Sequence, residues 1–413
     1  MSDSRWHRAT VAAAVGFLSA VTSCSDDVAP SSRSIVSDSS GIPIVSTAIG
    51  PNAAACSVSD EVLRIGAVDE RSGSVLYGVN GAAILGDGRI AIVNRGTSQI
   101  KLFSAMGDAV GEFGRQGPGP DEFKNLWSVA VRGPDTLVVG DYRPWRFTFV
   151  TPTGELLRRI ELKPAVIERP DFARPLGPGA GFVMEEPLFR AQDEMVDRVV
   201  PLQTYDEDGE LQGAVGLFWL DEFGYLAKEI GYVGNPIFGA KASFLTLRDD
   251  LILYATGRYE QLEVWSRDGD LRRIVRWHSR DRSVAPNDAD VWRRKRREEI
   301  EARTEITPQM EPAIAAQVGE DLPVADEYPG HDRVVASQTG EVWVQQYRRP
   351  LDEGPDRWWV FAADGQFVCS ASLPEDLRVL AVDGRRLLGL SLDSLDVEYV
   401  VGFDVTHPLH QDR

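Results

Sequence analysis

Four arginines stand at a recurring point of this 413-residue chain. Each follows a short apolar run, in Asn94-Arg95-Gly96, Asp141-Tyr142-Arg143, Thr256-Gly257-Arg258 and Tyr347-Arg348-Arg349. The chain carries a formal charge of -19, so a repeated cation is an exception to its surroundings. A guanidinium fork matches the oxygens of a carboxylate or a phosphate. Arg95, Arg143, Arg258 and Arg348 could therefore gather an anionic small molecule or an acidic segment of a partner protein. The same arginines could instead pair with acids of neighbouring loops (Asp121, Glu122, Glu168, Asp171) and staple repeated units together. Other chemistry finds less support. The five histidines are His7, His278, His331, His407 and His410. Three of them lie at the termini, a poor basis for a zinc site or histidine-based acid–base catalysis. No Gly-x-Ser-x-Gly elbow exposes a serine nucleophile, and Asp393 and Asp396 have no visible partner.

The elements that would carry these arginines repeat. From Arg89 to Val131 the chain reads RIAIVN, QIKLFSAMGD, AVGEFG, GRQGPGPDEF and LWSVAV: three apolar runs, a long glycine-rich loop and the start of a fourth run. An aromatic residue precedes a turn glycine by four positions at Gly107, Gly209, Gly269 and Gly365, and by five at Gly154. Such turns supply the positive φ of a tight hairpin. A second set of turns leads into RIAIVN, TLVVGD, FVMEEP, LILYAT, EVWVQQY and RLLGLSL. A four-stranded propeller blade takes about 40–50 residues. The pattern predicts an all-β chain, a six-bladed β-propeller. Its last unit (LRVLAV, RRLLGLSL, VEYVVGFDV) is one strand short, and Glu61–Gly66 at the other end can complete it. This three-plus-one closure leaves no open edge in the ring. Blade three (172–218) is degenerate, because Arg174-Pro-Leu-Gly-Pro-Gly is a poor strand.

Strands alternate in direction within a blade. The connections between second and third strands therefore share a face with the connections between blades. The long loops (114–123, 162–172, 219–240 and 278–331) all fall on that face, as do the four arginines; the opposite face carries tight turns. Loop length points weakly to function. Within the last loop, Asn287–Glu320 reads as a helical insertion between blades four and five, broken by Pro308 and Pro312. It would form either a lid or a docked ornament. Its basic run Arg293–Arg297 is followed by Glu298, Glu299 and Glu301, which suits a solvated helix with i,i+4 pairs.

The N-terminus reads as an address. Arg5 and Arg8 precede a 15-residue uncharged run, Ala9–Ser23, which suits a signal h-region better than a membrane span. Val21-Thr22-Ser23-Cys24 resembles the lipobox of bacterial lipoproteins, which implies a signal peptide over 1–23 and acylation of Cys24. Removal of 1–23 takes away Arg5, Arg8 and Asp3 and leaves a charge of -20. Residues 24–55 read as a flexible serine-rich tether, 56–405 as the propeller and 406–413 as a tail. The remaining cysteines, Cys56 and Cys369, can either pair outside the cytoplasm or stay free and buried. The strong negative charge argues against nucleic-acid binding.

GEFGRQGPGPDEFKNLWSVAV is similar to the segment joining blades in NHL-repeat propellers, and the stretch from GEVWVQQYRRP to LDVEYVVGF resembles bacterial six-bladed propeller lipoproteins of the NHL or TolB-like superfamily. The resemblance covers about Glu61 to Val405. It implies the fold and a lipid-anchored place in the cell envelope, with no common reaction. Related propellers include calcium-dependent lactonases and esterases, whose channel metal would correspond here to Asn94, Asp141 and Glu185. Oxygen donors suit calcium, although those residues read first as satisfied polar strand ends. The sequence thus predicts a monomeric extracytoplasmic module that binds a protein or an anionic small molecule and needs no cofactor. A calcium-dependent hydrolase of the lactonase type is the alternative.

Overall fold

The computed structural model describes residues 32–67, 74–119, 121–134, 136–142, 145–163, 173–176, 180–185, 195–227, 232–303 and 307–407. They form six antiparallel blades in a ring. The five hairpin glycines singled out above all have φ between +82° and +91°, which only glycine adopts without strain.

Each blade buries both of its faces, and this explains the nearly continuous apolar runs. In Ile90–Asn94 of blade one, Ile90 and Ile92 pack toward blade six. Ala91 and Val93 pack toward blade two. One strand therefore serves two cores, because successive side chains point to opposite faces. The same alternation builds the other four interfaces. Fully buried Trp343 and Trp358 fill the contact between blades five and six.

Closure follows the predicted three-plus-one scheme. Ser57–Ile65 pairs antiparallel with Glu398–Thr406 and completes blade six. The innermost strands of blades one to six are Val79–Ile84, Leu126–Val131, Ala173–Pro175, Ser243–Thr246, Val334–Ala336 and Arg378–Val382.

Three boundaries differ from the sequence reading. The expected tether over 24–55 is structured in its second half: Ser34–Ser39 and Ile42–Ala48 form a hairpin, and the second of these strands runs parallel to Leu271–His278 of blade four. Val45, Thr47 and Ile49 are buried there. The chain then bridges to blade five, where the Ser370 N–H donates to Ala54 O and the Cys56 N–H donates to Ser370 O. These pairings satisfy outer-strand edge groups that would otherwise face water. Residues 42–65 are thus a strap across the outer edges of blades four, five and six. The expected tail at 406–413 begins later, since His407 is 1% exposed and its Nε2 lies 3.4 Å from a Glu341 carboxylate oxygen.

The third difference is in blade three. Its inner strand is three residues long, as its proline and glycines suggest. The expected loop at 219–240 instead continues the outer strand, Leu211–Ala227, which pairs with Val196–Tyr205 and then with Tyr232–Gly234. The insertion forms α1 (Asp288–Arg303) and α2 (Glu311–Val318). Ala289 and Trp292 of α1 pack with Ile237, Phe238, Leu322 and Tyr328. The Asp288 carboxylate accepts the Tyr328 hydroxyl at 2.6 Å. The insertion is docked on the long-loop side of the ring.

Candidate functional site

The arginines of the second-to-third-strand loops are largely committed to protein partners. Arg258 pairs with Asp197 of blade three at 2.5 Å and lies 4.3 Å from the Trp219 ring centre. Arg348 pairs with Asp356 of its own blade at 3.1 Å and with Glu375, in the connection to blade six, at 2.5 Å. Arg349 stacks over Tyr328 and donates to Asp281 O. Arg95 is exposed, with its guanidinium 5.7 Å from the ring centre of Trp127 in blade two. Apart from the Arg348–Asp356 pair, these contacts reach beyond the arginine's own blade, the stapling geometry. Arg143 and Cys24 lie outside the described residues.

Two of the oxygen donors proposed for calcium, Asn94 and Asp141, are also engaged. Asn94 Oδ1 accepts the Tyr77 N–H at 2.6 Å, and its Nδ2 donates to Thr97 Oγ1 at 2.8 Å. The Asp141 carboxylate is buried in an ion pair with Arg146 and accepts the backbone N–H groups of Lys124 and Asn125 at 3.3 and 3.2 Å. Glu185 ends the second strand of blade three. Among the described residues, no group of three or more His, Cys, Asp or Glu side chains is gathered for a metal ion. Cys56 and Cys369 are joined by a disulfide, with Cα atoms 5.4 Å apart. It ties the strap to blade five.

A different set of residues converges on the ring axis. Each innermost strand opens at the long-loop face, and at or beside its first residue stand Asn80, Trp127, Arg174, Ser243, Arg333 and Arg378 in blades one to six. Four of these six, Asn80, Ser243, Arg333 and Arg378, line a cavity of about 270 Å3 together with Asp332. The Arg333 guanidinium is exposed and has no hydrogen bond or ion pair among the described residues. Arg378 donates to Val79 O, while its buried Nε has no partner. Burial and the positive charge of Arg333 hold Arg378 below its ordinary pKa, against the pull of Glu398. Arg174, one blade beyond the cavity lining, is pushed down to about 10 by burial. Asp332 is open to the cavity yet enclosed by protein. That enclosure raises its carboxyl pKa, with Arg333 opposing the shift.

A larger cavity of about 500 Å3 lies at the side of the ring between the strap and blade five. Two of its arginines are already neutralised. Arg280 is held by Asp352 at 2.8 Å, and Arg348 is held by Asp356 and Glu375. Arg357 stands exposed on its rim. The axial cavity is smaller; it gathers Arg333 and Arg378 with Asp332, and it sits where the innermost strands of four blades meet.

Comparison with known proteins gives the fold and little more. No family model matches the chain, and no curated protein does. Among solved structures, the chain is similar to a member of the DUF4221 family from Bacteroides vulgatus. The TM-score is 0.50 at 10% identity, over 85% of this chain and 98% of that one. It is also similar to a Bacteroides fragilis protein named as exported, with a TM-score of 0.47 at 10% identity over 88% and 99% of the two chains. A gluconolactonase from Xanthomonas campestris gives 0.38 at 13% identity over 86% and 97%. At such identities the likeness carries the propeller architecture alone. Among the described residues, no helix is long and apolar enough to cross a membrane.

The sequence offered a signal for the axial residues. Arg174 is the second residue of its innermost strand, Arg333 directly precedes its own and Arg378 opens its own. Aligning the repeats on the first residue of each innermost strand, instead of on the second-to-third-strand loops, brings all three within one position of that residue.

Proposed function

We propose that the protein is an extracytoplasmic β-propeller of the NHL or TolB-like kind, anchored through an acylated Cys24, whose task is to bind a ligand at the axial mouth on its long-loop face. The observation that carries this reading is the axial cavity. It opens on the face with the long connections, and its polar residues come from the starts of the innermost strands of separate blades. Convergent polar groups in a concave site are the usual mark of ligand binding. The Cys56–Cys369 disulfide supports an oxidising compartment. The commitment of Asn94 and Asp141 to structural hydrogen bonds favours binding over metal-dependent hydrolysis.

The test is a thermal-shift screen of neutral and charged metabolites, calcium and a chelator, on the wild type and on Ser243→Trp, which plugs the mouth. A ligand at one hundred times its Kd stabilises by about 2.7 kcal/mol. Shifts lost in the plugged variant support the reading, and shifts that survive the plug contradict it. A calcium shift reversed by the chelator would move the assignment to the hydrolase. The anchor is tested separately by labelling with palmitate: Cys24→Ser should abolish label and membrane retention together.

A further inference from the structure

We infer that the axial mouth takes a compact hydroxylated oxyanion, a carboxylate or phosphate carrying at least one hydroxyl, held by Arg333 and Arg378. The inference rests on the axial mouth being the binding site. It begins from an imbalance. The chain holds 63 acidic residues against 44 basic ones, and here two arginines with no ion pair among the described residues line one cavity. Other arginines of the same face, such as Arg258, Arg280 and Arg348, have carboxylates within 3.1 Å. Arg333 has none among the described residues, and Arg378 reaches only a carbonyl oxygen while its Nε stays unpaired. Two neighbouring guanidiniums repel each other. A fold does not keep such a pair for stability, and an incoming anion with oxygens for both would turn repulsion into charge-assisted hydrogen bonds.

The remaining lining describes the rest of the ligand. Asn80 spends its Nδ2 on Trp127 O at 2.8 Å, which leaves Oδ1 as an acceptor. The Asp332 carboxyl is a second acceptor on the rim. Acceptors beside two cations call for hydrogen-bond donors next to the anionic group, and hydroxyls supply them. The Ser243 hydroxyl can serve either role. A cavity of about 270 Å3 has room for a metabolite-sized ion.

Isothermal titration of the full chain with citrate, tricarballylate, glycerol 3-phosphate, inorganic phosphate and glycerol tests this. Citrate and tricarballylate differ by one hydroxyl, and the phosphates distinguish phosphate from carboxylate as the anionic group. The expected result is that citrate or glycerol 3-phosphate binds more tightly than its partner without hydroxyls, and that glycerol does not bind. Arg333→Gln should weaken that binding about ten- to hundredfold, the loss of one charge-assisted hydrogen bond. It should leave the melting temperature of the free protein unchanged or raised, because a repulsion is removed. Asn80→Ala should erase the preference for the hydroxylated ligand. No binding of any oxyanion at millimolar concentration overturns the inference. So does binding indifferent to Arg333→Gln, or a fall in free-protein melting temperature in that variant. Should only neutral ligands bind, and Ser243→Trp abolish their binding, the oxyanion inference falls while the axial site stands. Should binding survive Ser243→Trp, both fall.

Discussion

Replacing Asp141 with alanine should cost the fold about 3–5 kcal/mol, the range for removing one partner of a buried ion pair. The side chains of Asp141 and Arg146 are 1% and 7% exposed. Asp141 also accepts the N–H groups of Lys124 and Asn125, fixing the glycine-rich loop where it enters blade two. In Asp141→Ala the Arg146 guanidinium stays buried with only the carbonyl oxygens of Glu122 and Pro118 as partners. The unfolding entropy of a domain of roughly 370 residues, at about 2.1 cal/mol/K per residue, converts that loss to a melting temperature lower by about 4–6 °C. Scanning calorimetry of Asp141→Ala, Arg146→Met and the double variant measures it. The double variant should recover most of the loss, because no uncompensated charge remains. Additive single effects would refute the pair as the source of stability. A loss that appears only when calcium is present would refute the structural assignment and return Asp141 to a metal site.

Three further outcomes follow from local geometry. His331 is 3% exposed, and burial pushes its pKa down to about 4 from the ordinary 6.5. The unfolded chain therefore takes up a proton that the folded chain refuses; stability is full above pH 6.5 and falls toward pH 4 by about 3 kcal/mol, and His331→Leu should flatten that part of the urea-denaturation profile. The Cys56–Cys369 disulfide closes a loop of 313 residues, for which chain entropy gives an upper bound of about 6 kcal/mol; replacing both cysteines with alanine should cost about 2–5 kcal/mol and speed hydrogen exchange at Cys56 and Ser370, while unchanged exchange there would separate the strap from the disulfide. Gly181 and Gly133 occupy equivalent inner turns with φ of +79° and +77°; a Cβ at Gly181 would meet Tyr205 O at 1.9 Å, whereas at Gly133 nothing lies within 4 Å, so Gly133→Ala should cost about 1–2 kcal/mol from backbone strain alone and Gly181→Ala clearly more in the same denaturation assay.

The ring was legible because it is built from local signals. Turn glycines, aromatic residues at fixed offsets and a final unit one strand short all act within a few residues, and the blade count and closure follow from them. The segment 34–48 was hidden by its serines. Its apolar residues Ile42, Ile44 and Val45, with Ile49 just beyond it, gain burial from Ile274 to His278, a partner far away in sequence. The long outer strand of blade three exceeds ordinary strand length, so its second half reads as loop. The arginines noticed first, Arg258 and Arg348, are the ones that blade contacts consume. Arg333 and Arg378 escaped notice because each stands at an innermost strand's start, where a sequence shows no neighbour across the axis.

The most direct test of the axial site is a crystal structure of the protein grown with the oxyanion that binds best in titration. The account predicts ordered density between the Arg333 and Arg378 guanidiniums, within hydrogen-bond distance of both and with a hydroxyl against Asn80. Density at the side cavity near Arg357, with an empty axial mouth at saturating ligand, would contradict it.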